Sequence, residues 1–249
     1  MPVIRVAIAG LGAIGRVLAR KLADGIPGLV LAGAAARDTA KAQAWLDAER
    51  IACPLVEPEA FPTLADLAIE CAPAPVLERI CRPMLEAGKQ VMVLSAGALL
   101  PRPELVELAR TRGGQIIVPT GALLGLDAVT AAAEGRIHSV RMITRKPPGG
   151  LAGAPYLEAN GISVEGLKAP KRVFAGTARD GAAGFPANVN VAAALSLAVT
   201  LMCQLPSSSF RMVRFVALSS TTSTCRSLRL DGDGRCGAGS ECRPKRVLN

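Results

Sequence analysis

Over its first 120 residues the chain switches repeatedly between two hydrophobic periods. Residues 3–9 form an apolar, β-branched run, and behind them Val17, Leu18 and Leu22 recur at helical spacing. Leu29–Ala35 reads as a second strand, and Thr39–Ala48 as a helix with Thr39 as its cap. A third strand is expected at 67–71, followed by a helix over about 75–87 that Gly88 closes. Residues 90–94 predict a strand, Pro103–Arg112 a helix ended by Gly113 and Gly114, and 115–118 another strand. Strands alternating with helices in this way predict a parallel sheet covered on both faces.

From Gly121 onward the rhythm is less regular. Residues 124–133 read as a helix and 137–144 alternate as a strand. A loop rich in glycine and proline follows at 146–155, which reads either as functional or as a surface excursion. Residues 172–176 predict a strand, 188–201 an apolar, alanine-rich helix, and 210–218 one further strand.

The first strand and helix enclose a more specific signal. Residues 6–15 read Val-Ala-Ile-Ala-Gly-Leu-Gly-Ala-Ile-Gly, which places Gly10, Gly12 and Gly15 in G-x-G-x-x-G spacing, with Ala13 and Ile14 between the last two. In that motif Gly10 permits the tight turn, Gly12 lets backbone approach a pyrophosphate, and Gly15 lets helix and strand pack closely. The diphosphate would rest on free N–H groups at the helix start. NAD or NADP is therefore the expected cofactor. The second strand should end at the adenosine ribose, where an acidic residue favours NAD and an arginine accommodates a 2′-phosphate. Arg37 and Asp38 both stand there, and Asp38 could equally cap the next helix, so this reading leaves the choice open.

Composition narrows the class. Half of the 249 residues are hydrophobic but only 3% are aromatic, so the core must be built from Ala, Val, Leu and Ile. No run approaches a membrane span and no signal peptide is evident, so a cytoplasmic protein is expected. The formal charge of +9 is uneven: residues 199–249 carry 8 basic and 3 acidic side chains, against 21 and 17 in the longer remainder. With few aromatics for base stacking, nucleic acid is not an expected partner. Cys53, Cys71 and Cys81 read as small buried hydrophobes. Cys203, Cys225, Cys236 and Cys242 lack C-x-x-C spacing, so no metal is expected.

Several segments in order resemble the L-aspartate dehydrogenase family. They are Glu70-Cys71-Ala72, Ser95-Ala96-Gly97-Ala98-Leu99, Thr120-Gly121-Ala122-Leu123 with Gly125-Leu126-Asp127, Thr144-Arg145-Lys146-Pro147, Gly176-Thr177-Ala178-Arg179-Asp180, and the segment from Phe185 through Asn188 and Asn190 to Ala193. The resemblance covers residues 1 to about 198. It implies an α/β fold: a Rossmann dinucleotide-binding domain at 1–121, then a smaller α+β substrate domain at 122–218. It further implies oxidation of L-aspartate with NAD or NADP to iminoaspartate, which gives oxaloacetate and ammonia or feeds NAD biosynthesis. A homodimer with a small-molecule substrate is implied as well. Ala122 and Asn190 match residues that hold the cofactor near the nicotinamide. Arg145, Lys146 and Arg179 are the candidates for clamping the substrate carboxylates.

The chain departs from this pattern in two places. The family's catalytic histidine, in an Asn-Val-His context about thirty residues beyond the Asn-x-Asn segment, has no counterpart. The single histidine, His138, lies upstream in a different context. No catalytic acid–base residue is therefore identified, with Lys146 the one candidate to take the role. After residue 198 alanine occurs only at 217 and 238, and Ser-, Thr- and Arg-rich stretches take over. The abrupt join predicts an out-of-frame tail, a segment of its own at 219–249, a substrate-domain sheet short of its last strands, and impaired activity. The alternatives are another amino-acid-pathway oxidoreductase, of the homoserine dehydrogenase or dihydrodipicolinate reductase type, and a catalytically dead NAD(P)-binding protein.

Overall fold

A computed structural model describes residues 2–121, 123, 125–135, 137, 139–186 and 188–203, together with the strands at 213–217 and 226–231. Ala122, His138, Cys225, Cys236 and Cys242 lie outside the described residues.

The first half builds one parallel sheet. Its strands are β1 (Ile4–Ala9), β2 (Leu29–Ala35), β3 (Leu67–Glu70), β4 (Gln90–Val93) and β5 (Gln115–Ile117), in the order β2-β1-β3-β4-β5. Every neighbouring pair is parallel. All four residues of β3 are buried, as expected of a strand covered on both faces. The connecting helices are α1 (Ala13–Ala23), α2 (Thr39–Ala48), α3 (Phe61–Leu64), α4 (Leu77–Glu86), α5 (Ala96–Leu99) and α6 (Pro103–Arg112). The amphipathic α4 buries Leu77, Ile80, Cys81, Met84 and Leu85, each large apolar side chain worth about 1.5–3 kcal/mol of transfer energy. Asp38, not Thr39, caps α2: its side chain accepts from the Lys41 N–H at 2.9 Å. Asx oxygens one residue ahead of the first helical position are well placed to do this.

The second half adds α7 (Leu126–Ala132), β6 (Ser139–Lys146), α8 (Pro155–Ala159), β7 (Lys171–Gly176), α9 (Ala178–Gly184), α10 (Asn190–Cys203), β8 (Val213–Ala217) and β9 (Arg226–Asp231). The four strands form a mixed sheet in the order β7-β8-β6-β9. β8 pairs parallel with β6 and antiparallel with β7, and β9 pairs antiparallel with β6. The sheet is thus not short of late strands: residues beyond 198 supply two of its four. The loop after β6 is not a loose excursion, because Leu151 is fully buried and Ala154 nearly so. Three of the seven aromatic residues, Tyr156, Phe174 and Phe185, pack together in this half with ring centroids 5.1–5.5 Å apart. Helix α10 packs on α5, α7 and α9, and so joins the two halves. Among the described residues no helix is long and apolar enough to cross a membrane.

One ion pair fixes the entry to the parallel sheet. The Asp66 carboxylate, just before β3, accepts from the Arg5 N–H at 3.0 Å and from the guanidinium Nε and Nη2 at 3.1 and 2.7 Å. The Arg5 guanidinium and N–H together hold the Asp66 carboxyl well below the usual carboxylate range. A carboxylate whose pKa falls on folding stabilises the protein above its unfolded value, near 4, and loses that contribution as the pH drops. Both side chains are substantially exposed, 46% and 40%, so solvent screens the pair and its contribution is small. Asp66→Asn should flatten the acid limb of thermal melts recorded between about pH 2 and pH 5. An acid limb identical to the parent's would contradict this assignment.

Candidate cofactor site and active site

The strand order reverses between β1 and β3, because β2 lies on one side of β1 and β3 on the other. At such a switch point the carboxyl ends of the strands open a crevice. Here it is a cleft of ≈ 1120 Å³ between the β1–α1 turn, the end of β2 and the segment after β3. The three glycines of the turn have different surroundings. Gly10 has φ +103°, and a Cβ there would stand 2.6 Å from the Cys71 carbonyl oxygen. A Cβ on Gly15 would fall 1.9 Å from the Gly10 carbonyl oxygen, inside the helix–strand contact. Gly12 has open space where its Cβ would be, which is the room a diphosphate needs to reach the amides of α1.

The predicted cofactor residues are brought together in part. Gly10, Gly12, Ala13, Arg37 and Asp38 line the cleft. Ile14 is 56% exposed on the outer side of α1, and Gly15 is buried beneath the turn. Asn190 is elsewhere: its Oδ1 accepts from the Gly97 N–H at 3.0 Å, tying the start of α10 to α5. A Cβ on Gly97 would stand 2.6 Å from Val189 Cγ1, so the two halves meet here without room for a side chain.

Sequence reasoning gave no role to Glu70 itself. It ends β3 fully buried, and its carboxylate accepts from four donors: the Ala72, Leu94 and Ser95 N–H groups at 3.1, 3.1 and 2.8 Å, and the Ser95 hydroxyl at 3.1 Å. Burial raises the Glu70 pKa, against the pull of these donors. One side chain therefore aligns the carboxyl ends of β3 and β4 and sets the start of α5, which in turn meets Asn190. An apolar run that stops on a glutamate at the crevice edge was the available signal. Beside it, burial and the neighbouring carboxylate push the Cys71 thiol up to about 12, so this cleft-lining thiol stays protonated and is no nucleophile.

The substrate candidates lie in the second half. Arg145 and Lys146 end β6, two residues later than the strand predicted from sequence, and both are half-buried. Lys146 Nζ donates to Asn188 Oδ1, and Asn188 Nδ2 donates to the Gly150 carbonyl at 3.0 Å. The glycine- and proline-rich loop is thereby tied to the segment leading into α10. Arg179 is exposed in the first turn of α9. That helix starts with a reciprocal capping box between Thr177 and Asp180, a spacing that could have revealed it. None of the three cations lines the dinucleotide cleft.

Two substitutions separate the glycine roles. Gly12→Val should leave apo stability within about 1 kcal/mol yet weaken NADH and NADPH binding by about tenfold or more, read by fluorescence titration. Gly15→Ala should instead lower stability itself. Replacing Glu70 by Gln turns an amide NH₂ toward N–H donors and should cost about 2–3 kcal/mol in urea unfolding. A Glu70→Gln protein as stable as the parent would remove the carboxylate from its organising role.

Comparison with known proteins agrees with this layout. Residues 10–119 match the family model described as homoserine dehydrogenase, NAD binding domain. Residues 127–234 match that described as aspartate dehydrogenase, C-terminal, a match that runs past residue 198. L-aspartate dehydrogenase 3 of Bordetella bronchiseptica is 53% identical over 194 residues, 78% of this chain and 71% of the relative. The L-aspartate dehydrogenase of Bradyrhizobium diazoefficiens is 52% identical over 195 residues, 78% of this chain and 69% of its own length. Among solved structures, aspartate dehydrogenase from Thermotoga maritima superposes with a TM-score of 0.65 at 21% identity, over 92% of this chain and 85% of that one. An apo scyllo-inositol dehydrogenase from Lactobacillus casei reaches 0.51 at 15% identity, over 93% and 73%, so likeness of fold alone does not select a substrate. The sequence identity does select a lineage: the chain belongs to the L-aspartate dehydrogenase family.

Proposed function

We propose that this protein oxidises L-aspartate at its amine-bearing carbon, with NAD or NADP as acceptor, to iminoaspartate that water converts to oxaloacetate and ammonia. Family membership is the observation that carries the reading, and the glycine-lined crevice supplies the matching binding chemistry. The imine can equally supply NAD biosynthesis. A cytoplasmic homodimer acting on a small molecule is the setting this reading implies.

The nucleotide, when bound, supplies the hydride acceptor. The chain must hold it and orient the substrate. Gly10, Gly12, Ala13, Ile14 and Gly15, with the amides of α1, form the diphosphate seat, and Arg37 and Asp38 stand where the adenosine ribose ends. Asn190, and Ala122 by family position, belong to the nicotinamide end. Arg145 and Arg179 are proposed to take the two carboxylates as charge-assisted hydrogen bonds, which leaves Lys146 for the proton. As hydride leaves Cα, the nitrogen must lose a proton to form C=N. Lys146, held by Asn188, is the proposed acceptor, since the chain holds no histidine after His138.

Proton transfer by a positioned general base typically contributes 10²–10⁴-fold, so turnover is expected to be slowed by about that range relative to histidine-containing relatives. Reduction of NAD(P)⁺ followed by absorbance should depend on L-aspartate and not on L-homoserine, and Lys146→Met should remove it. Nucleotide binding with no turnover on either amino acid would favour a catalytically silent binder. Turnover on homoserine would favour the other oxidoreductase reading.

A further inference from the structure

The adenosine end of the cleft carries more positive charge than a pair of ribose hydroxyls requires. β2 ends at Ala35, and the chain leaves it through Ala36, Arg37 and Asp38 into α2. Arg37 and Lys41 both line the cleft and are exposed. Neither side chain has a hydrogen-bond or ion-pair partner among the described residues. The other cations on the same cleft are engaged. Arg16 donates from Nε to the Leu11 carbonyl at 3.1 Å and lies 5.0 Å over the Trp45 ring. On the opposite wall Arg79 pairs with both Glu57 and Glu59.

The acidic residue at this position is oriented elsewhere. Asp38 is the N-cap of α2, with Oδ1 fixed on the Lys41 N–H, so one carboxylate oxygen already serves the helix. Glu57, the other acid on the cleft, is paired with Arg79. Two side-chain cations flanking one helix start, with the nearest carboxylates engaged, match a dianionic phosphate on the ribose better than a neutral hydroxyl.

We propose that Arg37 and Lys41 form a 2′-phosphate subsite and that the protein binds NADP(H) in preference to NAD(H). This rests on the reading of the cleft as a dinucleotide site. Arg37, at the end of β2, supplies the planar fork, and Lys41, in the first turn of α2, a second point charge. Asp38 opposes both, so its charge limits the preference while its cap holds the helix in place.

The test uses the full chain and a binding readout that needs no turnover. Trp45 is the single tryptophan and lies against Arg16, which lines the cleft, so its emission can be quenched by energy transfer to a reduced dinucleotide bound there. NADPH should quench it with affinity about tenfold or more above NADH. By calorimetry, 2′,5′-ADP should bind more tightly than 5′-AMP. Arg37→Ala should remove most of the NADPH advantage and leave NADH within about threefold. Asp38→Asn, which keeps a good N-cap, should widen the advantage. Equal affinities in the parent, or an Arg37→Ala protein that loses both nucleotides alike, would overturn the subsite while leaving the dinucleotide site standing. Binding of none of the four nucleotides would overturn both.

Discussion

A single buried carboxylate organises the working end of this protein. Glu70 closes the central strand of the parallel sheet and lies wholly out of solvent. It is tolerable there because four donors, three of them backbone, converge on it. A buried charge lacking such partners would cost several kcal/mol. The same bonds settle the path of the chain beyond β3 and β4. They bring Ser95 to the start of α5, and α5 is the element on which α10 packs. The crevice and the junction between the halves therefore share one origin.

The cleft shows how a common fold is adapted by the charges on its rim. Backbone and glycine provide a seat for a diphosphate that any nucleotide of this kind fits. Selectivity must come from side chains. At the adenosine end stand Arg37, Asp38 and Lys41. Away from the cleft lining, the Gly97–Asn190 bond ties α5 to the start of α10. Cys71, which lines the cleft with its thiol pushed up to about 12, adds bulk without reactivity.

Much of the first half was legible in the sequence because parallel-sheet strands and their helices are long, periodic and punctuated by glycine. The G-x-G-x-x-G turn, the five strands through Gln115–Ile117 and the helices α1, α2, α4 and α6 followed from pattern alone, whereas the short α3 and α5 did not. What escaped depends on partners distant along the chain. Nothing local in Leu67-Ala68-Ile69-Glu70 tells that the glutamate will meet Ser95, nor that Gly97 must stay bare because Val189 lies against it. Asp38 was legible only as an ambiguity, since one side chain was suited both to a ribose and to a helix start. β9 was missed because Leu228 and Leu230 alternate with serine and arginine in a segment whose composition differs from all that precedes it. The period of two was present, but the register that gives it meaning belongs to β6.

The order of strands in the second sheet also bears on how the molecule comes into being. β6 and β7 emerge early, yet they do not touch: β8, made about forty residues after β7, lies between them. The parallel sheet is complete by Ile117 and can close while synthesis continues, as domains generally do from the N-terminus. The mixed sheet instead waits with two unpaired strands until its central member arrives, a non-local closure of the slow kind. During that interval the nascent chain exposes open strand edges. Its exposure to misassembly, and its demand on chaperones, is therefore concentrated in the interval between the synthesis of β7 and that of β8.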